Sequence, residues 1–191
     1  YDIVTVDQCV LVHPDCCKIL RATLDYFTEH GAVFYKKMAH VGYLRHLLVR
    51  RGVKTGEILV DLVTSTQTEG TWKSEQNEEA LLEGWKEKLL GLDLEGSFAG
   101  ILHTENDSLA DVVQNDRTVI LYGQDFFMEE LLGLKFKITP FSFFQTNSLG
   151  AEVLYETARE YIGETDGRKV FDLYSGTGTI AQILAPAAEH V

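Results

Sequence analysis

The chain has 191 residues, 45% of them hydrophobic and 24% charged, with a formal net charge of −12. That is the composition of a soluble globular protein, with room for one good core, or for one domain and part of another. No apolar run approaches the roughly 20 residues needed to span a bilayer, and the opening YDIVTVDQC has no basic start followed by an apolar core, so no signal peptide is visible. The first residue is not Met, which leads to the expectation of further chain upstream. Cys9, Cys16 and Cys17 make a poor disulfide framework and fit a reducing, cytoplasmic setting. The negative charge argues against a nucleic-acid partner, but it is unevenly spread. Residues 1–54 carry eight Lys/Arg against five Asp/Glu, and residues 55–100 carry three against ten. A basic surface is therefore still available.

In chain order, His13-Pro14 opens an amphipathic helix that runs to about His30, with Leu20, Leu24 and Phe27 as its stripe and Gly31 as its cap. Strands are predicted at 42–51 and 56–65, joined by a turn at Gly52 to Thr55. In the second, Ile58, Val60 and Leu62 alternate with Glu57, Leu59 and Asp61, as expected for a half-buried strand. Ser74 starts a helix with Leu81, Trp85 and Leu89 as its core stripe. Phe98 to Thr104 reads as a short strand, and Asp111 to Tyr122 as a hairpin turning at Asn115-Asp116. Leu134, Phe136 and Ile138 alternate with Lys135, Lys137 and Thr139 in a strand that ends at Pro140. Residues 1–140 thus read as one α+β domain with a mainly antiparallel sheet.

After Pro140 the pattern changes. FSFFQTNS leads into a helix whose predicted apolar face is Leu149, Val153, Leu154, Ala158 and Ile162, ended by Gly163. A polar connector precedes a predicted strand from Lys169 to Tyr174, and a last helix begins near Thr179. Strand, then Gly176-x-Gly178, then helix is the layout of a nucleotide-cofactor site, since glycines let the backbone approach a ligand. An ordinary strand–helix turn is the alternative. Asp172 closes the strand four residues before Gly176, where a carboxylate would repel a pyrophosphate but tolerate a cationic ligand. Asp-x-x-x-Gly-x-Gly resembles the first motif of class I methyltransferases, which bind S-adenosylmethionine.

DLYSGTGTI places Tyr174 where that motif usually has glycine, and this resembles the DLYCGTGTI of the RNA uracil-5-methyltransferases, including the bacterial enzymes of 23S ribosomal RNA. LRHLLVRRGVKTGEILVDLVT, LYGQDFFMEELLGLKFKI and FKITPFSFFQTNSLGAEVLYETA resemble further segments of that family, in the family's order. Ser175 departs from the usual Cys, and both are small. The resemblance implies an α/β protein: a central α+β domain at 1–140, then at 141–191 the first helix–strand–helix of a class I Rossmann-like methyltransferase domain. It implies that Gln145, Asp172, Tyr174, Gly176, Gly178 and Thr179 serve the cofactor, S-adenosyl-L-methionine, with a place beside the target base, or a solvated loop amide, as the alternatives for Gln145. Phe143 matches a position from which a ring can stack on RNA, with core packing as the alternative for it and for Phe144. Arg45, Arg51, Lys135 and Lys137 are candidates to track phosphates, with a solvated sheet face as the alternative. Arg45 and Arg51 are expected on one face, as are Lys135 and Lys137. Cys9 resembles the last of four ligands to an iron–sulfur cluster, with a plain buried Cys as the alternative, and no cluster is expected in this chain.

The family's chemistry adds a cysteine thiolate to uracil C6, so that C5 attacks the donor's methyl group, and a base then removes the C5 proton. The family's nucleophilic Cys, in an Asn-Pro setting, and its Asp-Pro-Pro motif have no counterpart here, so no catalytic residue is assigned and the segment alone is expected to be inactive. Competing expectations are a methyltransferase for another substrate, such as tRNA uridine, and a non-catalytic RNA-binding module. A nicotinamide oxidoreductase ranks last because of Asp172.

Overall fold

A computed structural model describes residues 8–72, 77–109, 117–165 and 167–191. Its elements in chain order are α1 (Pro14–Glu29), β1 (Leu44–Arg51), β2 (Glu57–Thr64), α2 (Glu78–Leu90), β3 (Ser97–Glu105), β4 (Arg117–Gly123), β5 (Phe127–Leu131), β6 (Leu134–Ile138), α3 (Ser148–Ile162) and α4 (Thr179–Leu184). The described strands form a four-stranded sheet of order β1-β2-β3-β4 and a separate β5-β6 hairpin. Pairing is antiparallel except between β2 and β3, which run parallel with α2 as the crossover. The fold is mixed α/β with an antiparallel-dominated sheet, as the sequence reading expected.

One face of the sheet packs on α1 and α2. Ile58, Val60 and Leu62 of β2 meet Ile19, Tyr26 and Phe27 of α1 and Leu81, Trp85 and Leu89 of α2. The predicted stripe of α2 is thus the observed one. The helix begins at Glu78, capped by the Asn77 side chain, while Ser74 lies outside the described residues. In α1 the stripe is shifted. Leu20 is exposed and Leu24 half-buried, because the buried face is Ile19, Ala22, Thr23, Tyr26 and Phe27. Two polar bonds fix that shifted face: Trp85 Nε1 donates to Thr23 Oγ1 at 3.0 Å, and Tyr26 Oη donates to the Leu81 carbonyl at 2.8 Å.

The other face carries a second cluster. Leu59 and Leu102 meet Phe127, Leu131, Phe136, Ile138 and Phe144, and this cluster extends to Ala151 and Tyr155 of α3 and Ile183 of α4. Both faces of β2 are therefore covered, and the strand predicted as half-buried is buried along nearly its whole length, Asp61 included. The turn assigned to Asn115-Asp116 lies outside the described residues. β4, which follows it, pairs with β3. β5 was not foreseen, and it supplies the partner of the predicted strand β6.

Two expectations for the last fifty residues are corrected. α3 turns Ala151 and Tyr155 inward, one turn apart, while Leu149, Val153 and Leu154 of the predicted apolar face are exposed. Lys169 to Tyr174 forms no regular strand. It makes one parallel bridge, from Lys169 to His190, because no neighbouring strand among the described residues offers it a ladder.

Candidate functional site

The glycine turn is built by backbone. Tyr174, Gly176 and Gly178 all have positive φ, at 65°, 54° and 71°. Glycine accepts that conformation without cost, whereas Tyr174 accepts it with strain. Gly178 donates to the Ser175 carbonyl at 2.7 Å, closing the turn, and Thr177 and Thr179 share a hydroxyl bond of 2.8 Å. Asp172 Oδ2 accepts from the Ala181 N–H at 3.1 Å, so its carboxylate ties the chain before the turn to the first turn of α4. The Tyr174 ring is fully exposed, and Thr179 is buried at the helix start. Lys169, Asp172, Ser175, Ala181 and His190 line an open cleft of about 560 Å³ beside this turn.

A second cleft, of about 630 Å³, lies where α1, β1, β5 and the start of α3 converge. Gln145 and Asn147 line it, with Arg50, Arg51, His13 and Cys16, over a floor of Val49, Phe127 and Phe144. Its charges are largely paired. Arg51 Nε stands 3.5 Å from Asp15 Oδ2, and Arg50 Nη1 donates to the carbonyls of Thr139, Pro140 and Ser142 at 2.6, 3.0 and 2.8 Å. Burial alone would raise the Asp15 carboxyl. N–H bonds from Gly96 and Glu95, with His13 and Arg51 nearby, bring it below the usual carboxylate range instead. Burial pushes the Cys16 thiol up, which leaves it a poor nucleophile.

The two clefts share no lining residue, so the structure does not bring Gln145 and the glycine turn into one cavity. It does separate the two phenylalanines. Phe144 is 7% exposed and packs on Phe136 with ring centroids 5.9 Å apart, while Phe143 is 77% exposed. The basic candidates differ in setting. Lys135 and Lys137 lie on the exposed face of β6, and Lys137 Nζ sits 4.0 Å from the centroid of Phe126. Arg45 stacks on Tyr35 at 4.3 Å and donates to the carbonyls of Asn106 and Ser108 at 2.6 and 2.8 Å. A register shift between Leu44 and His46 interrupts the alternation that put Arg45 and Arg51 on one face. Cys9 is exposed, which removes the plain buried reading, and no group of three or more metal-ligating side chains occurs among the described residues. The described residues alone therefore do not assemble an iron–sulfur site.

Glu129 was missed by sequence reasoning. Its carboxylate is 1% exposed and accepts from Val53 N and Ser148 Oγ at 2.6 and 2.7 Å, and from Lys54 N and Glu130 N at 3.2 and 2.9 Å. Only its place in FMEEL, on the face shared by Phe127 and Leu131, could have flagged it.

Over all 191 residues the chain is 50% identical to an uncharacterized RNA methyltransferase of Clostridium tetani and 44% identical to one of Caldanaerobacter subterraneus. The chain is homologous to RNA methyltransferases. It spans about 40% of the length of the curated relatives it matches. No family model matches it. Among solved structures it resembles the Pyrococcus abyssi tRNA (uracil-54, C5)-methyltransferase in complex with S-adenosyl-L-homocysteine, with a TM-score of 0.68 and 27% identity. That match covers 97% of this chain and 41% of the other. The family resemblance drawn from the motifs of this chain is borne out. No helix among its described residues is long and apolar enough to cross a membrane.

Proposed function

We propose that this chain is a segment of a cytoplasmic, S-adenosylmethionine-dependent RNA methyltransferase that acts on C5 of uridine. Residues 1–140 are its central domain and residues 141–191 the opening of its methyltransferase domain. The observation that carries the reading is the match along almost the whole chain to a tRNA uracil-C5 methyltransferase bound to the demethylated cofactor. The glycine turn fits such a ligand. Gly176 and Gly178 leave backbone open, Asp172 brings negative charge beside it, and the exposed Tyr174 ring is available as a wall. The cofactor supplies an electrophilic methyl group. The protein's part is to hold it and to present the uridine, with Gln145 next to cofactor or base and Phe143 stacking on RNA.

In the whole enzyme, a cysteine from outside this chain adds to uracil C6. C5 then takes the methyl group, and loss of the C5 proton expels the thiolate. Arg45, Arg51, Lys135 and Lys137 contact phosphates in this reading, and the paired settings of Arg45 and Arg51 make the two lysines the stronger of the four. Cys9 is retained as a cluster ligand only if the complete protein supplies three more, and no step depends on it.

The ribosomal RNA uridine is the first substrate reading, from the likeness of the hairpin and the setting of Cys9 to the family's 23S rRNA members. A tRNA uridine is the second, favoured by the substrate named for the Pyrococcus structure. The complete protein should be incubated with unmodified rRNA and tRNA and methyl-labelled cofactor, and the modified nucleotide mapped by mass spectrometry. 5-Methyluridine in rRNA supports the first reading and in tRNA the second. Methylation at another atom refutes both.

A further inference from the structure

We propose that Arg50 and Glu129 are positioning residues that fix Gln145 for methyl transfer. The inference rests on the reading above, in which Gln145 serves the cofactor or the base.

Gln145 is exposed and sits on the irregular segment between β6 and α3. A side chain on such a segment needs its backbone held if it is to work at a fixed place. The segment is held on both sides of Gln145. Upstream, one nitrogen of Arg50 serves the carbonyls of Thr139, Pro140 and Ser142 at 2.6 to 3.0 Å. Nη1 carries two hydrogens for these three acceptors, so at least one hydrogen is shared. Downstream, Glu129 Oε2 takes the hydroxyl of Ser148, the first residue of α3. Between the anchors, Phe144 is buried against Phe136. Gln145 lies three residues beyond Ser142 and three short of Ser148.

The same two side chains tie this segment to the β1–β2 hairpin. Arg50 belongs to β1, and Glu129 also takes the N–H groups of Val53 and Lys54 in the turn that follows. Lys54 in turn pairs with Glu152 of α3, whose Oε1 also accepts from Leu132 N at 2.7 Å. Burying a carboxylate and a guanidinium is expensive, and apolar residues would hold packed elements together at lower cost. What apolar residues would not do is fix an irregular backbone in one conformation, because only directed bonds to its carbonyls and hydroxyls achieve that.

The test uses the complete enzyme, with methylation measured per folded cofactor-binding site. Four variants are compared: Arg50→Met, Arg50→Lys, Gln145→Ala, and Arg50→Met with Gln145→Ala. Arg50→Met is expected to lower kcat by roughly 10- to 100-fold, the scale of a small misplacement of a working group. A lysine ammonium has three hydrogens for the three carbonyls, so Arg50→Lys should recover most of the lost rate. The double variant should match Gln145→Ala to within about twofold, because a residue that acts only through Gln145 has nothing left to position. Multiplying losses, or a Lys variant as poor as Met, would overturn the proposal. A silent Gln145→Ala would overturn it too, and that single variant would show that the fault lies in the role given to Gln145. If Arg50→Met does not fold, Ser148→Ala, which removes the bond to Glu129, takes its place in the cycle with Gln145→Ala: a double variant within about twofold of Gln145→Ala supports the proposal, and multiplying losses overturn it.

Discussion

Asp61 offers a sharp test of the energetics of the sheet. It sits on the central strand β2, is 1% exposed, and receives one bond, from Thr104 Oγ1 at 2.9 Å, while Oδ1 has no hydrogen-bond partner. Burial pushes its carboxyl up to about 6, against the pull of the Thr104 bond. Between the ordinary value of 3.8 and about 6, the folded chain keeps a proton that the unfolded chain has released. Stability from this group is therefore complete at low pH and is lost as pH rises through 6, by about 3 kcal/mol in all. More than half of the loss falls below pH 5, and between pH 5 and pH 8 it is about 1 kcal/mol. His103, on the adjacent strand, works the other way. Burial, helped by the charge of Arg117, pushes it down to about 4, so the fold loses stability as pH falls below 6.5. In wild type the two slopes oppose each other near pH 5. Asp61→Asn removes one of them. Urea denaturation of this chain and the variant at pH 5 and pH 8 measures the stability difference at each pH. That difference should move by about 1 kcal/mol in favour of Asn at the higher pH, whatever the new amide itself costs, since that cost is common to both. A difference that stays constant with pH would refute the assignment of a protonated Asp61.

Other substitutions probe the packing. Glu129→Ala strands four donors at a buried site and should cost roughly 3–5 kcal/mol in denaturation experiments, whereas Lys54→Met breaks a solvent-screened pair and should cost far less. Trp85→Ala empties the centre of the helix-side core and should lower stability by about 3–5 kcal/mol. A Cβ at Gly100 would lie 1.8 Å from the Gln124 carbonyl oxygen and 2.9 Å from Leu59 Cδ1, so Gly100→Ala should cost about 3 kcal/mol, the upper end for overpacking, read as a lowered thermal transition. In the complete enzyme, Tyr174→Ala should weaken cofactor binding by calorimetry if the ring forms a wall of the site.

The sequence was most informative where one periodicity met one partner. Leu81, Trp85 and Leu89 face a single core, and their spacing reported it. It was least informative where polar bonds chose the face. The stripe of α1 is set by Thr23 and Tyr26, which a hydrophobic pattern ranks below Leu20. β5 was hidden because its middle residue is an acid, and Glu129 is buried through donors from two distant segments, the Val53–Lys54 turn and the start of α3. In α3 the conspicuous leucines are exposed and the quiet Ala151 and Tyr155 do the packing. The glycine turn was legible as a motif because φ requirements act on single residues. The separation of its cleft from that of Gln145 depends on how α3 lies against β5, which no local pattern encodes.

The one parallel pairing in the sheet has a consequence for how the chain assembles. β1–β2 forms through a short local turn, but β2 and β3 can meet only after the whole of α2 has crossed between them. The middle of the sheet is thus a seam between two parallel strands, bridged by a helix acting as a latch. Damage to that latch would leave the first hairpin intact, with β5 and α3 still tied to its turn through Glu129 and Glu152, while β3 and β4 lost their place beside β2.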